Sequence, residues 1–445
     1  MSQCLKEMIN EHPMRPFQYL AIGVCIVLNM IDGFDVLVMA FTASSVASEW
    51  NLNGAQIGLL LSAGLFGMAA GSLFIAPWAD RYGRRPLILC CLALSGVGML
   101  LSAHTQTPLQ LALLRGLTGL GIGGILASSN VIAGEYANKR WRGLAVSLQS
   151  TGYALGATFG GLLSVWLLTH YGWRSVFTAG GWATLATLPV VMLCLPESLD
   201  FLLARRPAKG VAKLDRLAIQ LGQPAPGAFP AATAAPQAAQ RSALLQLLSA
   251  EMRRTTLLLW GLFFLVMAGF YFVMSWTPKL LASAGLSAQQ GISGGVLLSV
   301  GGIVGAALIG LLASRWRLET VLSLFMLVTA GLLVLFACTA SSVTFALALG
   351  LLIGLAANGC VAGLYALSPM LYGASVRATG VGWGIGIGRI GAILSPSVAG
   401  LLLDDGWQPL HLYGVFAVVF VIAAAALLLF LPRPEVRQPG ALSNA

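Results

Sequence analysis

Two aspartates three residues apart, Asp32 and Asp35, lie inside the first long apolar stretch of the chain. A charged side chain at membrane depth costs about 2.5–3.5 kcal/mol even on insertion scales. Chains keep such residues where they serve a proton, ion or substrate path. Positions i and i+3 share a helix face, so both carboxyls are expected to look into one cavity. Two neighbouring carboxyls in a low-dielectric setting suit reversible protonation, with one of them loading a proton near neutral pH. The alternatives are a structural role, bonding backbone at a break by Gly33, or an ion pair with an arginine.

Two arginines also fall within apolar stretches, Arg115 and Arg389. Arg389 lies about eleven residues into its stretch, near the membrane midplane at a rise of about 1.5 Å per residue. A planar, permanently charged guanidinium suits a carboxylate bidentately, which makes Arg389 a candidate anchor for an organic anion. Arg115 lies about two helical turns from a membrane surface. It can serve the anion, pair with Asp32 or Asp35, or snorkel to headgroups. Phe34, Tyr365 and Trp383 are the aromatic candidates for the same site. Phe270, Tyr271, Phe272 and Trp276 are further wall candidates for a ring-shaped substrate, with ordinary packing as the alternative for each.

These residues need spanning helices to hold them. The 445-residue chain is 58% hydrophobic and 9% charged, against roughly 25% charged in soluble domains. Twelve stretches can cross a bilayer, at roughly 17–44, 55–78, 87–104, 109–133, 143–168, 175–195, 254–282, 291–313, 319–340, 344–370, 378–403 and 410–432. With the N-terminus in the cytoplasm, 21 of the 25 Lys and Arg fall in cytoplasmic segments and two, Arg174 and Lys279, fall outside. That asymmetry sets the orientation, with both termini cytoplasmic. It also accounts for the net charge of +10 without nucleic acid. The N-terminus lacks a cleavable signal pattern, so the first span is expected to be retained. The seven cysteines show no metal or disulfide spacing.

The expected organisation is a first six-helix bundle over 1–195, a cytoplasmic loop over 196–253 and a second bundle with a short tail over 254–445. The Ala/Pro/Gln-rich middle of the loop, about 222–240, reads as a disordered linker. The halves repeat: Ala76 aligns with Gly310, Arg142 with Arg377 and Leu195-Pro196 with Leu431-Pro432, at shifts of 234 to 236. Duplication of this kind is a known route to transporter folds.

Asp80-Arg81-Tyr82-Gly83-Arg84-Arg85, Glu135 with Arg142 after span four, and Pro196-Glu197-Ser198 after span six together resemble the major facilitator superfamily over essentially the full length. Ala76 departs from the usual leading glycine. Asp32-Gly33-Phe34-Asp35 resembles the signature of its aromatic acid/proton symporters. The resemblance implies an all-α membrane protein of twelve helices in two pseudo-symmetric bundles, importing an aromatic or ring-cleavage acid anion with protons across a bacterial inner membrane. The acid can be benzoate-, hydroxybenzoate- or muconate-like. It implies a cytoplasmic gate from Asp80, Arg81, Gly83, Arg84, Arg85, Glu135, Arg142 and Arg377, as ion pairs that break on opening. Ser314, Arg317 and Met370 replace the gate residues of the second half, so the gate is expected to be asymmetric.

Gly119–Gly124 and Gly386–Gly391 fit a dinucleotide fingerprint but sit mid-span, without the strand that motif needs. Gly152, Gly156 and Gly160, and likewise Gly380, Gly384 and Gly388, have the spacing that lets helices pack closely. No nucleophile, metal cluster or phosphate loop is evident, and His12, His104, His170 and His411 are scattered. An enzyme is not expected, nor a cofactor or metal; the coupling ion is H+, the partners are a small organic acid anion, protons and the lipid bilayer, and the protein is expected to work as a monomer. A proton-antiporting exporter and a non-transporting sensor of the same acids are the other readings.

Overall fold

The computed structural model describes residues 9, 11–205, 210–220, 245–283, 286–339, 343–372 and 376–430. Among them are twelve helices long and apolar enough to cross a membrane. They are α1 Pro16–Trp50, α2 Gly54–Tyr82, α3 Arg84–Ser102, α4 Pro108–Tyr136, α5 Arg142–Tyr171 and α6 Trp173–Cys194. The second half follows with α7 Arg253–Ser283, α8 Ala288–Ala313, α9 Leu318–Thr339, α10 Val343–Leu367, α11 Arg377–Asp404 and α12 Pro409–Phe430. Local chemistry sets several ends. Asn53 with Gln56, and Ser287 with Gln290, form capping boxes that start α2 and α8, satisfying N–H groups that have no partner within the helix. Near its end α2 loosens into a π-turn over Gly71–Ile75 and a 3-10 turn over Ala76–Trp78, where Pro77 cannot donate to the helical ladder.

The repeat seen in the sequence is a repeat in packing. α1 lies on α5, α2 on α4 and α3 on α6; six helices on, α7 lies on α11, α8 on α10 and α9 on α12. Small residues set the close approaches. A Cβ on Gly156 would overlap the Met30 carbonyl of α1. In the second bundle a Cβ on Gly305 would overlap the Leu355 carbonyl of α10. Gly384 instead seats the Phe263 ring of α7, and Gly388 lies against Met267 and the Phe263 carbonyl of the same helix.

The central loop is more ordered at its edges than expected. Leu199–Arg205 and Gly210–Gln220 are helical. Leu214, Leu217 and Ala218 share one buried cluster with Ile88, Ile132 and Leu195 of the first bundle. The helical spacing of those three residues explains why this loop segment docks rather than floats. The predicted disordered linker, 222–240, lies outside the described residues, as does the tail after Phe430.

The two bundles meet through α2 against α11 and α5 against α8, a pseudo-symmetric pair of seams. One membrane face carries Arg81, Arg84, Arg85, Arg140 and Arg142 and is the basic face. At the opposite face the seams are shut. Asp404 accepts from the backbone N–H groups of Gly54 and Ala55 at 2.6 and 2.8 Å. Ser62 donates to Ile393 O at 2.7 Å and lies 2.9 Å from Ser397 Oγ. Gln289 donates to Thr169 at 2.9 Å. These hydrogen bonds between the bundles all lie in the half of the molecule away from the basic face. Toward the basic face, positions Gly382 and Gly386 of α11 have nothing within 4 Å of a built Cβ. The protein is therefore closed at the opposite face and open toward the basic face.

Candidate functional site

The two aspartates of α1 take different partners. Asp35 is 1% exposed and Arg115 of α4 is 2% exposed. Arg115 donates from Nη1 to Asp35 Oδ1 and from Nη2 to the Asp35 carbonyl, each at 2.6 Å. Its guanidinium also lies against Gly64 of α2, where a Cβ would come within 3.1 Å of Nη2. Arg115 is thus held inside the first bundle. The expectation that it helps bind the anion does not fit this placement, because its fork is already filled by Asp35. The expected single cavity for both carboxyls is corrected in the same way. The pair remain close enough to feel each other's charge, but Asp35 is committed to Arg115 while Asp32 is also within electrostatic reach of Arg389 in the second bundle.

Asp32 is also buried, and its Oδ2 has no hydrogen-bond partner. The charge nearest to it from the other bundle is Arg389 of α11. Arg389 is half-buried and makes no ion pair among the described residues. A buried charge without a partner is costly, so this cation is poised for an anion. Tyr153 of α5, Tyr271 of α7 and Tyr365 of α10 lie within electrostatic reach of the same guanidinium. Tyr153 is near Asp32 as well. Helices of both bundles therefore surround one cation and one carboxyl at membrane depth.

Two exposed aromatic rings lie toward the basic ends of α10 and α11. Trp383 is exposed and stacks on Trp260, with ring centroids 5.7 Å apart. Tyr365 is exposed and meets Phe263 edge-on at 5.8 Å. The other aromatic candidates are placed elsewhere. Phe34 is buried against Gly160 and Gly180 inside the first bundle. Its ring fills the space those glycines leave, so its assignment to the substrate site does not hold. Phe272 stacks on Phe416 at 3.9 Å in the core of the second bundle. Trp276 is buried and donates to the Pro396 carbonyl at 3.0 Å, bracing α11 beside the closed seam. Phe270 is buried edge-on to Tyr271 at 5.4 Å.

A polar cluster that sequence reasoning missed lies one turn along α1 from Asp32, toward the basic face. Asn29 donates to Gln149 Oε1 of α5 at 2.5 Å and lies 3.4 Å from Ser129 of α4. Gln149 donates to the Ser129 carbonyl at 3.4 Å. The signal was available, since Asn29 and Gln149 are polar residues in apolar spans, as Asp32 is.

The basic-face cluster forms, and the following contacts lie within the first bundle. Arg84 pairs with Glu135 and donates to Ser198 at 3.1 Å, with Asp80 at 3.5 Å. Glu197 Oε1 accepts from the backbone N–H groups of Arg84 and Arg85 at 2.8 and 3.1 Å. Arg85 donates to the Met192 carbonyl, and Arg142 to the Gly134 carbonyl at 2.9 Å. Gly83 has φ +104°, a conformation that side-chain-bearing residues avoid, and a Cβ there would meet Glu197 at 2.6 Å. Arg81 lies over the Tyr82 ring at 5.5 Å. Arg377 begins α11, and its side chain is outside the described residues. The expectation was of pairs that break when the basic face opens. Those seen here are formed while that face is open, because they tie the α2–α3 turn to the ends of α4 and α6 rather than to the second bundle.

Comparison with known proteins agrees with this architecture. The sequence model of the family described as Major Facilitator Superfamily matches residues 23–339 and 299–444. The chain is 36% identical over 436 residues to a gallate transporter of Pseudomonas putida, covering 95% of this chain and 94% of that one. It is 32% identical over 425 residues to the 4-hydroxybenzoate transporter PcaK of Acinetobacter baylyi, covering 95% and 93%. In structure it is similar to the inward open conformation of the xylose transporter XylE from E. coli, with a TM-score of 0.72 at 16% identity, covering 94% of this chain and 98% of that one.

Proposed function

This chain belongs to the major facilitator superfamily, and from that premise we propose that it imports an aromatic acid anion together with a proton. The basic face is the cytoplasmic face of a bacterial inner membrane, and both termini lie on that side. The structure is then the inward-open state of an alternating-access cycle in which one bundle rocks against the other. The observation that carries the reading is the guanidinium of Arg389, without an ion pair among the described residues, within electrostatic reach of the buried Asp32 of the other bundle. The full-length relatives named for gallate and 4-hydroxybenzoate support an aromatic carboxylate as the anion.

Coupling follows from competition for one cation. Ionised Asp32 attracts Arg389. Protonated Asp32 leaves Arg389 free for the substrate carboxylate, which it binds through its planar fork. Anion and proton therefore load together, since either alone leaves a charge uncompensated at low dielectric. On the cytoplasmic side release of the anion lets Asp32 give up its proton. The Asp35–Arg115 pair holds α1 against α4 and keeps the signature turn in place. The clamp of Arg84, Glu135 and Glu197 makes the cytoplasmic ends of the first bundle one rigid body, so the bundle moves as a unit.

Purified protein in proteoliposomes tests this reading. An inward proton gradient should drive accumulation of a radiolabelled hydroxybenzoate. Accumulation only under an outward gradient would make it an exporter, and binding without flux would make it a sensor.

A further inference from the structure

The two shut seams are filled by different apolar side chains. On the α5–α8 side the filler is the ring of Phe41 of α1, which is 2% exposed. A Cβ on Gly161 of α5 would overlap Val296 of α8 and lie 3.2 Å from this ring. A Cβ on Gly295 of α8 would lie 2.9 Å from Pro278 of α7 and 3.4 Å from the ring. One glycine from each bundle therefore makes the hollow that Phe41 occupies. On the α2–α11 side the filler is a cluster that spans the bundles. Ile393 of α11 and Tyr271 of α7 pack in it with Leu65 and Met68 of α2 and Val36 of α1. Ile393 follows Arg389 by four residues and Val36 follows Asp32 by four, so each stands one helical turn outward of its charged neighbour. Farther out, a Cβ on Gly58 would lie 2.5 Å from the Pro396 carbonyl, so α2 and α11 touch there through backbone.

An apolar space that offers water no hydrogen-bond partner stays dry, and a dry site keeps protons from leaking. A carrier that loads a proton on Asp32 must keep that carboxyl from the outer solution while it faces the cytoplasm. Otherwise the proton gradient runs down with no anion moved. Resting on the proton-coupled reading above, we propose that Phe41 in one seam and the Val36–Leu65–Ile393 layer in the other form the proton seal of the inward-open state. Phe41 stands nine residues beyond Asp32 on α1, about 13 Å at helical rise. Val36 and Phe41 are about 140° apart around α1 at 3.6 residues per turn, so the helix presents one plug to each seam. Gly161 and Gly295 part with their bundles when the outer face opens, and the hollow around Phe41 opens with them. The role of these side chains is to exclude water, not to hold the anion.

The test is proton leak in the absence of any acid. Parent, Phe41→Ser, Ile393→Ser and Phe41→Leu are each reconstituted into proteoliposomes that enclose a pH dye. A potassium gradient with valinomycin draws protons inward, and the dye reads their entry. The parent should stay close to protein-free vesicles. Each serine variant should raise proton entry about tenfold or more, because a hydroxyl in the seam gives water a partner. Phe41→Leu keeps the plug apolar and should stay within about twofold of the parent. Leu327→Ser, at an exposed position of α9, controls for general loosening and should match the parent. Vesicles of both serine variants as tight as the parent's would overturn the inference. Equal leak in Phe41→Leu or Leu327→Ser would overturn it too, by making loosening the cause. Because no acid is present, the result is independent of what the protein carries. A tight parent that fails to accumulate hydroxybenzoate under an inward proton gradient would overturn the import reading, with the seal still decided by the leak of the serine variants.

Discussion

Removing the Asp404 carboxylate should tip the protein toward its outward-open form. Asp404 ends α11, and its two oxygens accept from the first two N–H groups of α2, Gly54 and Ala55, at 2.6 and 2.8 Å. Those N–H groups have no partner within the helix and carry the positive end of its dipole. The contact joins the two bundles, so it must break before the outer face can open. A hydrogen bond to a charged group is worth about 1.5–3 kcal/mol net. Asp404 is exposed, and competition from water and salt reduces the whole contact to about 1–2 kcal/mol. Asp404→Ala should therefore shift the ratio of inward-open to outward-open protein about 5- to 30-fold. Asp404→Asn keeps one acceptor and should shift it less. Spin labels at the outer ends of α2 and α11 report the two states as two distances, measured by double electron–electron resonance. A distance distribution in Asp404→Ala identical to that of the parent would refute the reasoning.

Two further predictions concern stability. Asp35→Asn should lower the stability of the detergent-solubilised protein by about 3–5 kcal/mol, because it strands the Arg115 charge in a dry site. Asp35→Leu combined with Arg115→Met should recover most of that loss in a thermal melt, and a double variant no more stable than Asp35→Asn would contradict it. Gly156→Leu should cost about 1–3 kcal/mol or more by forcing α1 from α5, since even a Cβ overlaps Met30 O. Gly261→Leu, with nothing within 4 Å of its Cβ position, should melt close to the parent, and equal loss in both variants would remove close packing as the cause.

The fold was legible because the bilayer imposes strong rules on sequence. Twelve apolar stretches, a lopsided distribution of Arg and Lys, and near-constant spacing between repeated loops point to the architecture observed. Span ends were less legible: α1 extends to Trp50, past the expected end near residue 44, because polar Thr42, Ser44 and Ser45 do not break a helix packed on other helices. Asp32 and Arg389 stood out by charge alone. What the sequence could not assign was partnership. Arg115 and Arg389 are equivalent as lone arginines in apolar stretches, and only the packing of α4 against α1 separates a paired arginine from an unpaired one. The same holds for aromatics. Phe34 and Trp383 both suit a ring-lined cavity by composition, yet Phe34 fills the hollow left by Gly160 and Gly180 while Trp383 remains exposed. The bonds across the closed seam were hidden for a related reason. Asp404 and Ser62 carry no local pattern that names a partner more than three hundred residues away.

The central claim is that Asp32 takes up a proton as Arg389 receives the substrate anion. It is tested most directly by the proton balance of binding. Purified protein in a weakly buffered solution is mixed with a saturating hydroxybenzoate, and the pH change is read with an indicator dye. The parent should take up protons on binding, and Asp32→Asn should bind the acid with no such uptake. Arg389→Ala should lose binding and uptake together. Proton uptake of equal size in the parent and in Asp32→Asn, or binding by the parent with no uptake at any pH, would contradict the account.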